Sequence, residues 1–251
     1  MTGDPALRVE GLTKAFGGLC AVDKVELCVA PGERRALIGP NGAGKTTLFN
    51  LIAGDLPPTA GRITVFGRDV TRMPPHRRAA LGLARTCQVN DLFPTLTVFE
   101  NMMLAMHGLS PSKLMPLKSI RAYPEHCARA HEVLASVGLA GSEDAVVRTL
   151  SHGVQRQLEI AMALSGRPRL LLLDEPAAGL SPAEAQHMVS LLQALDPAMS
   201  VVMIEHDMDV AFRVADRVTV MHNGRVLADG GRDEVKADPR VAEIYLGSGV
   251  A

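Results

Sequence analysis

The sequence predicts an α/β fold in which helices cover both faces of a parallel β-sheet. Short runs rich in aliphatic and β-branched residues alternate with segments whose apolar residues recur at helical spacing. A glycine-rich turn also joins one apolar strand directly to a helix. Strands that alternate with helices form parallel sheets, and the helices then shield both faces.

The first third of the chain is predicted to be rich in strands. Short β-prone runs, each bounded by Gly, Pro or Asp turn residues, lie at residues 7–12, 25–29, 35–38 and 62–66. A helix is predicted over residues 46–53, because it follows the glycine-rich turn directly and ends at Gly54, before the helix-breaking pair Pro57-Pro58. The chain thus forms a strand, a loop and a helix in direct succession.

The middle of the chain changes to a helical period. Apolar residues recur at helical spacing over residues 98–105, 128–137 and 158–164. No regular structure is predicted for residues 109–123, which contain prolines and scattered lysines. The last third returns to alternation, with strands predicted at residues 170–174, 201–204, 217–221 and 225–229 and helices at 182–195 and 208–215.

The charges of the chain balance. Its 251 residues include 26 Lys and Arg against 27 Asp and Glu, a formal net charge of −1. No global positive field draws such a protein to nucleic acid, so we expect no nucleic-acid partner. No stretch approaches the about 18 apolar residues of a membrane span, and no signal peptide is recognisable at the N-terminus. We therefore expect a cytoplasmic protein whose role at a membrane needs a partner.

The cysteines do not follow a ligand pattern. The chain has four, Cys20, Cys28, Cys87 and Cys127. They form no CxxC pair and no metal-ligand spacing, so we expect small core residues in a reducing compartment, with no disulfide and no zinc site.

A phosphate-binding motif stands where its chemistry requires it. Residues 39–47, the phosphate loop, read GPNGAGKTT and fit the pattern GxxxxGK[ST] between a strand and a helix. Successive backbone N–H groups converge on a β-phosphate at the N-terminus of the helix, Lys45 bridges the β- and γ-phosphates, and the Thr46 hydroxyl ligates Mg²⁺. The predicted nucleotide-binding residues here are Asn41, Gly42, Ala43, Gly44, Lys45, Thr46 and Thr47. The alternative is a glycine turn that contains a lysine by chance.

Two carboxylates follow the apolar run at residues 170–173. Asp174 and Glu175 precede Pro176, at the carboxyl edge of a parallel sheet, where such sheets bind ligands. Asp174 is predicted to hold Mg²⁺ directly or through water, and Glu175 to polarise the attacking water. The alternative is a strand capped by surface acids before a proline turn.

The segment from Leu150 to Gly153 reads LSHG and resembles the ABC ATPase signature, normally LSGGQ. Ser151 and the amides that follow it, including that of Gly153, form a second anion site at a helix N-terminus. The resemblance implies that this site contacts the γ-phosphate of ATP bound to the opposite subunit. Two ATPase subunits, identical or paralogous, are then needed for each hydrolytic site.

The resemblance also implies the architecture. It is that of a P-loop NTPase of the ABC nucleotide-binding type, with a RecA-like parallel-sheet core, an N-terminal antiparallel β subdomain and a helical subdomain. The expectation is one domain over residues 1–251, with the helical subdomain inserted at about residues 89–165.

Further positions match the family in order along the chain. Phe16 resembles the aromatic residue that stacks on adenine, although a core phenylalanine at a strand end is the competing interpretation. Gln88 resembles the glutamine that reaches Mg²⁺ and the attacking water. Residues 177–181 resemble the D-loop of the dimer interface, and His206 resembles the switch histidine that holds the γ-phosphate.

Two positions depart from the family pattern. The signature reads LSHGV, and Ser181 stands in the D-loop where many ABC ATPases have aspartate. Slower or asymmetric hydrolysis is expected, and a subunit that binds ATP without turnover remains an alternative.

A narrower resemblance points to importers. Segments such as LFPTLTVFEN (92–101), EPAAGL (175–180) and IYLG (244–247) look like the ATPase subunits of branched-chain (hydrophobic) amino-acid importers. The implied partners are integral-membrane permease subunits and, indirectly, a substrate-binding protein, which places the chain on the inner face of the plasma membrane. Alternatives are a urea or short-amide importer ATPase and a lipopolysaccharide-exporter ATPase.

The surface that meets the permease is predicted to follow Gln88. Residues 90–100 and the helix with Met102, Met103 and Met106 are expected to offer an adaptable apolar groove for a short permease helix. The alternative is a methionine-rich core helix. A soluble ABC protein acting on ribosomes or DNA is disfavoured, because the chain has one ATPase unit, no coiled-coil insertion and no basic stripe.

Overall fold

The structure is a computed structural model that describes residues 4–86, 92–109 and 123–246. Its strands are β1 (Leu7–Phe16), β2 (Leu19–Val29), β3 (Arg34–Ile38), β4 (Ala60–Val65), β5 (Arg68–Asp69), β6 (Leu83–Arg85), β7 (Leu170–Asp174), β8 (Ser200–Ile204), β9 (Arg217–His222) and β10 (Arg225–Gly231). Its helices are α1 (Lys45–Ala53), α2 (Pro75–Ala80), α3 (Val98–Leu109), α4 (Pro124–Ser136), α5 (His152–Leu164), α6 (Pro182–Ala194), α7 (Met208–Val214), α8 (Arg232–Lys236) and α9 (Pro239–Leu246).

The N-terminal strands form an antiparallel sheet in the order β2-β1-β4-β5. Along β2, Val25, Leu27 and Val29 are buried while the residues between them are exposed. This period of two places one face of the sheet on the core and the other in solvent. The implied antiparallel N-terminal subdomain is therefore present. The strands β1 and β2 are longer than predicted because they continue into a tight hairpin around Gly17.

The second sheet is mostly parallel and has the order β10-β9-β3-β8-β7-β6. Strands β9, β3, β8, β7 and β6 run parallel, and β10 pairs antiparallel with β9 at one edge. Every residue of β7 and β8 is buried, as expected for strands covered on both faces. The α/β class is confirmed. The ends of β3, β7 and β8 meet at one edge, because Ile204 pairs with both Leu37 and Asp174.

Alternate residues of this sheet pack into two separate hydrophobic clusters. Leu171 and Leu173 belong to a cluster with α3, α5 and α6, whereas Leu170 and Leu172 belong to one with α1 and the antiparallel sheet. The sheet therefore separates the helical middle of the chain from the N-terminal strands. At about 25 cal/mol per Å² of apolar area, burial of these faces is the main force that holds the layers together.

The methionines of α3 lie in the core. Met102, Met103 and Met106 are 0%, 1% and 5% exposed and pack in the cluster with α5. These three methionines therefore belong to the core, as the alternative of a methionine-rich core helix has it, whereas the groove predicted for this helix stays a prediction. Helical periodicity identifies an apolar face but not what covers that face.

The expectation that the cysteines are core residues is wrong for two of them. Cys20 and Cys28 are exposed, because they point outward from β2 between residues that point inward. Cys127 is half-buried in α4, and Cys87 lies outside the described residues. None of the helices in the described part of the chain combines the length and apolar character that crossing a membrane requires.

Candidate nucleotide-binding site

The phosphate loop leads from β3 directly into α1. Gly44 is the residue before α1, and its backbone is left-handed with φ 99°. A Cβ at Gly44 would collide with the carbonyl of Ala21, so the turn accepts only glycine at this position. Asn41 and Gly42 are exposed at the tip of the loop. Backbone amides at the start of α1 are thus accessible to an anion.

Lys45 is folded back over its own loop. Its Nζ donates to the carbonyl oxygens of Gly39 at 2.7 Å and Pro40 at 3.0 Å. Burial lowers the pKa of Lys45, while the carboxylates of Glu175 and Asp174 oppose that shift. The ammonium group therefore lies near both carboxylates, and a phosphate that binds here would offer it a charged acceptor in place of two neutral carbonyl oxygens.

Asp174 has one engaged and one unengaged carboxylate oxygen. It is 0% exposed, and its Oδ2 accepts from Arg85 Nη2 at 3.0 Å. Its Oδ1 is buried and has no hydrogen-bond partner among the described residues. A buried, unpartnered carboxylate oxygen and an exposed threonine hydroxyl are the kinds of oxygen ligand that a hard cation such as Mg²⁺ takes, so Asp174 and Thr46 fit the predicted metal by their chemistry.

Glu175 lies at a strained turn immediately after β7. Its backbone is left-handed with φ 49°, which is unfavourable for a residue with a side chain. Its amide donates to Ile204 O at 3.0 Å, which ties the turn to β8. Glu175 Oε2 lies 3.8 Å from His206 Nδ1, so the structure brings these two predicted residues together.

Arg156 holds the backbone of this turn from the side of α5. Its Nη2 donates to Asp174 O at 3.0 Å and Glu175 O at 2.9 Å, and its Nη1 forms a buried ion pair with Glu159 at 2.5 Å. Arg156 is not among the residues predicted from the sequence. Its only signal in the sequence is an arginine on the apolar side of a helix, which does not reveal its distant partners.

Replacing Arg156 with alanine is expected to lower the free energy of unfolding by about 3–5 kcal/mol, because Glu159 is left as a buried, unpaired charge. Urea denaturation measures the change. The double variant Arg156→Met/Glu159→Leu is expected to recover most of that stability, since it removes both charges. A single variant as stable as the parent would contradict the prediction.

A second buried group joins the residues after Glu175 to the end of β8. Glu205 is 0% exposed and accepts from the amide of Ala177 at 3.0 Å. Burial raises the pKa of Glu205, and the nearby amides and His206 oppose that shift. Glu205 thus fixes the D-loop-like segment against His206. Sequence reasoning missed this contact because the two residues are far apart in the chain.

The signature segment opens α5 as predicted. Ser151 is the N-cap residue and accepts from the amide of Val154 at 3.4 Å, and its hydroxyl also contacts Glu184 Oε1 at 3.1 Å. Ser151 is exposed, whereas the backbone of Gly153 lies against Glu184. Ser181 caps α6 in a reciprocal capping box with Glu184.

Phe16 ends the first strand in an exposed position. Its side chain is 47% exposed, and Lys14 Nζ lies 5.0 Å from the ring centre. The competing interpretation of a core phenylalanine is therefore wrong. A flat ring in this position is available for stacking. Gln88 lies outside the described residues, so its predicted role stays a prediction.

Comparisons with known proteins agree with this geometry. The sequence profile described as ABC transporter matches residues 22–178. The chain belongs to the ABC transporter family. A second profile, described as branched-chain amino acid ATP-binding cassette transporter, matches residues 225–251. This ABC transporter chain therefore carries a nucleotide-binding domain that contains the phosphate loop and the strand ending in Asp174.

Individual relatives cover nearly the whole ABC chain. It is 40% identical to the high-affinity branched-chain amino acid transport ATP-binding protein BraF of Pseudomonas aeruginosa, over 97% of this chain and 98% of that protein. It is 39% identical to LivG of Escherichia coli, a protein of the same description, over 97% and 98%. The crystal structure of the ADP conformation of an ABC transporter cassette superposes with a TM-score of 0.87 at 33% identity, covering 97% of this chain and 99% of that one.

Proposed function

We propose that the chain binds and hydrolyses ATP to power an ABC importer. The observation that carries the proposal is the meeting of Lys45, Asp174, Glu175 and His206 at one edge of the parallel sheet. Phosphoryl transfer to water needs a cation that binds phosphates, which is Lys45, and a free carboxylate oxygen, which Asp174 has. It also needs a carboxylate that can reach the attacking water, and the partly exposed Glu175 lies beside His206.

Each residue has a role in the proposed reaction. Lys45 and the loop amides bind the β- and γ-phosphates, and His206 contacts the γ-phosphate. Glu175 accepts a proton from the attacking water, and its strained turn, held by Arg156, fixes the direction of the carboxylate. Thr46, Asp174 and Gln88 are the residues proposed to hold Mg²⁺, which would neutralise charge at the phosphates when bound.

We infer that a second ATPase subunit completes each site. Ser151 is exposed at the N-terminus of α5, where its hydroxyl and the following amides offer an anion site. In the proposed dimer, Ser151 and Gly153 contact the γ-phosphate held by the opposite subunit, and Phe16 stacks on the adenine. Closure of two chains around ATP then converts binding energy into motion. Because Ser181 and the LSHGV signature depart from the family pattern, the second subunit of the proposed dimer is either a copy of this chain or a paralogue that hydrolyses ATP at a different rate.

The proposed cargo is branched-chain or other hydrophobic amino acids. Support comes from the relatives BraF and LivG, which are named for branched-chain amino acid transport, and from the profile at residues 225–251. An ATPase subunit has no contact with the cargo in this proposal, so urea or short amides remain the alternative that transport assays must test.

A cavity of about 820 Å³ supports docking to a permease. Its walls come from α2, β6, α3 and α5 and include Ala79, Ala105, Met162 and Ala163. A mostly apolar groove between helices accepts a short amphipathic helix. We propose that a permease helix binds here and holds the chain at the inner face of the plasma membrane, with a substrate-binding protein as an indirect partner. We also propose one domain over residues 1–251, with a helical subdomain at about 89–165.

The test is the steady-state ATPase rate with Mg²⁺ measured against protein concentration. If two chains form each site, the rate is expected to rise with about the square of concentration below the dimer dissociation constant. Mutation of the exposed Glu125 to glutamine is the control and is expected to change nothing. A rate strictly proportional to concentration would contradict the shared site, and binding of ATP without turnover would support a non-catalytic subunit.

A further inference from the structure

A single carboxylate joins the N-termini of two helices. Glu184, in the first turn of α6, accepts from the Ser181 amide at 3.0 Å and the Ser181 hydroxyl at 2.7 Å through Oε2. Its other oxygen, Oε1, lies 3.1 Å from the Ser151 hydroxyl. One oxygen thus serves its own helix, and the other serves the N-terminus of α5.

The carboxylate lies at the anion site of the signature segment itself. A Cβ added to Gly153 would stand 2.7 Å from Glu184 Oε1, so the carboxylate lies directly against the backbone of Gly153. Hydrogen bonds from Ser181, Ser151 and the Gly153 backbone hold the pKa of Glu184 at about 2, so the group is charged at neutral pH. A negative group at the start of α5 also interacts favourably with the helix dipole.

We propose that Glu184 occupies, within its own chain, the position that the γ-phosphate of the partner-bound ATP takes at Ser151 and Gly153. This inference rests on the proposed function, because it assumes that the signature segment meets ATP across a dimer. In the separate chain, Glu184 satisfies the Ser151 hydroxyl and neutralises the positive end of α5. Closure around ATP then has to displace this carboxylate, since two anions cannot share the same donors without strong repulsion.

The serine at position 181 fits this role. Its hydroxyl donates to Glu184 at 2.7 Å and directs the carboxylate toward Ser151. An aspartate here would place a second negative charge against Glu184 and would have no hydroxyl to donate. The departure from the D-loop pattern therefore stabilises the intrachain contact. Ser181 and Glu184 together disfavour closure of the dimer until the γ-phosphate displaces the carboxylate.

The competing explanation is that Glu184 only caps α6 and braces α5. The two explanations predict opposite results for Glu184→Gln, because glutamine preserves the capping geometry but removes the charge. A bracing role predicts an equal or weaker dimer after the substitution. If instead the γ-phosphate has to displace the Glu184 carboxylate, the substitution is expected to give a tighter dimer. Since a symmetric dimer contains two such sites, the effect of each site multiplies in the dissociation constant.

The experiment measures the ATP-dependent dimer dissociation constant by analytical ultracentrifugation, in the Glu175→Gln background with ATP and Mg²⁺. Adding Glu184→Gln is expected to tighten the dimer about tenfold and to leave the behaviour with ADP unchanged. The matched control is Glu234→Gln, because Glu234 caps α8 in the same helical position by accepting from Gly231 at 2.8 Å, away from the signature segment.

The outcomes separate this inference from the proposed function. If Glu175→Gln alone never dimerises with ATP, the pairing of two identical chains fails, and the proposed symmetric dimer is overturned together with this inference. If it dimerises and Glu184→Gln leaves the dissociation constant unchanged or raises it, only the role of Glu184 is overturned. Thermal melting checks that the variant is folded, and Glu184→Ala, which removes carboxylate and cap together, must also tighten the dimer for the inference to stand.

Discussion

Replacing Glu175 with glutamine is expected to reduce ATP turnover by at least about a hundredfold and to leave ATP binding intact. Glutamine has nearly the same shape as glutamate but cannot accept the proton of the attacking water. The backbone contacts of Glu175 with Ile204 and Arg156 do not involve the side chain, so the turn is expected to keep its geometry.

Two measurements test the glutamine variant together. Phosphate release gives turnover, and isothermal titration calorimetry gives ATP affinity. Because ATP binds but is not consumed, the variant is also expected to accumulate as a dimer with ATP and Mg²⁺ and to return to monomer with ADP. Glu125→Gln, on an exposed helical turn, serves as the control for removal of one charge. Undiminished turnover would exclude Glu175 as the general base.

Replacing Lys45 with methionine is expected to weaken ATP binding about tenfold to a hundredfold and to lower turnover by about a hundredfold or more. Methionine fills the space of the lysine stem, so the loop stays packed, but the ammonium group that faces the phosphates is lost. In the structure this group donates to two carbonyls of the loop and lies near Glu175 and Asp174. Without it, the phosphates meet these carboxylates unshielded.

The control for this variant is Lys24→Met, which removes an exposed lysine from the antiparallel sheet. ATP affinity is measured by calorimetry and turnover by phosphate release, both with Mg²⁺. An ATP affinity equal to that of the parent protein would show that the loop amides alone bind the phosphates. A loss in the Lys24 variant as large as that in the Lys45 variant would point to net charge instead.

Features that are local in sequence could be predicted from it. The phosphate loop, the acidic end of β7 and the N-cap at Ser151 each depend on a few consecutive residues, and their positions follow from strand and helix signals. Arg156, Glu205 and Glu184 could not be predicted, because each acts on residues that only the tertiary fold brings near. The contact of Arg85 with Asp174 was also missed, since β6 is a short strand without a clear period and could not be recognised in the sequence.

The errors have physical causes of the same kind. The methionines of α3 form an apolar stripe, and such a stripe packs equally well against a core or a partner. The outward cysteines of β2 show that alternation, not residue type, decides which side of a strand faces solvent. The roles of Phe16 and His206 come from the family resemblance, supported for His206 by its position after Glu175, and they stay predictions.

In the proposed dimer, helix α5 and its N-cap carry one residue for each of two nucleotide-binding sites. Ser151, at its start, belongs to the anion site proposed to meet the ATP of a partner, whereas Arg156 holds the turn of Glu175 within its own chain. These residues stand about 7.5 Å apart along the helix axis, at 1.5 Å per residue. Because both residues belong to one rigid helix, a rotation of the helix that reorients Ser151 also reorients Arg156. In the proposed dimer, helix α5 would therefore link the two nucleotide sites mechanically, and each chain would sense through this helix whether its neighbour holds ATP.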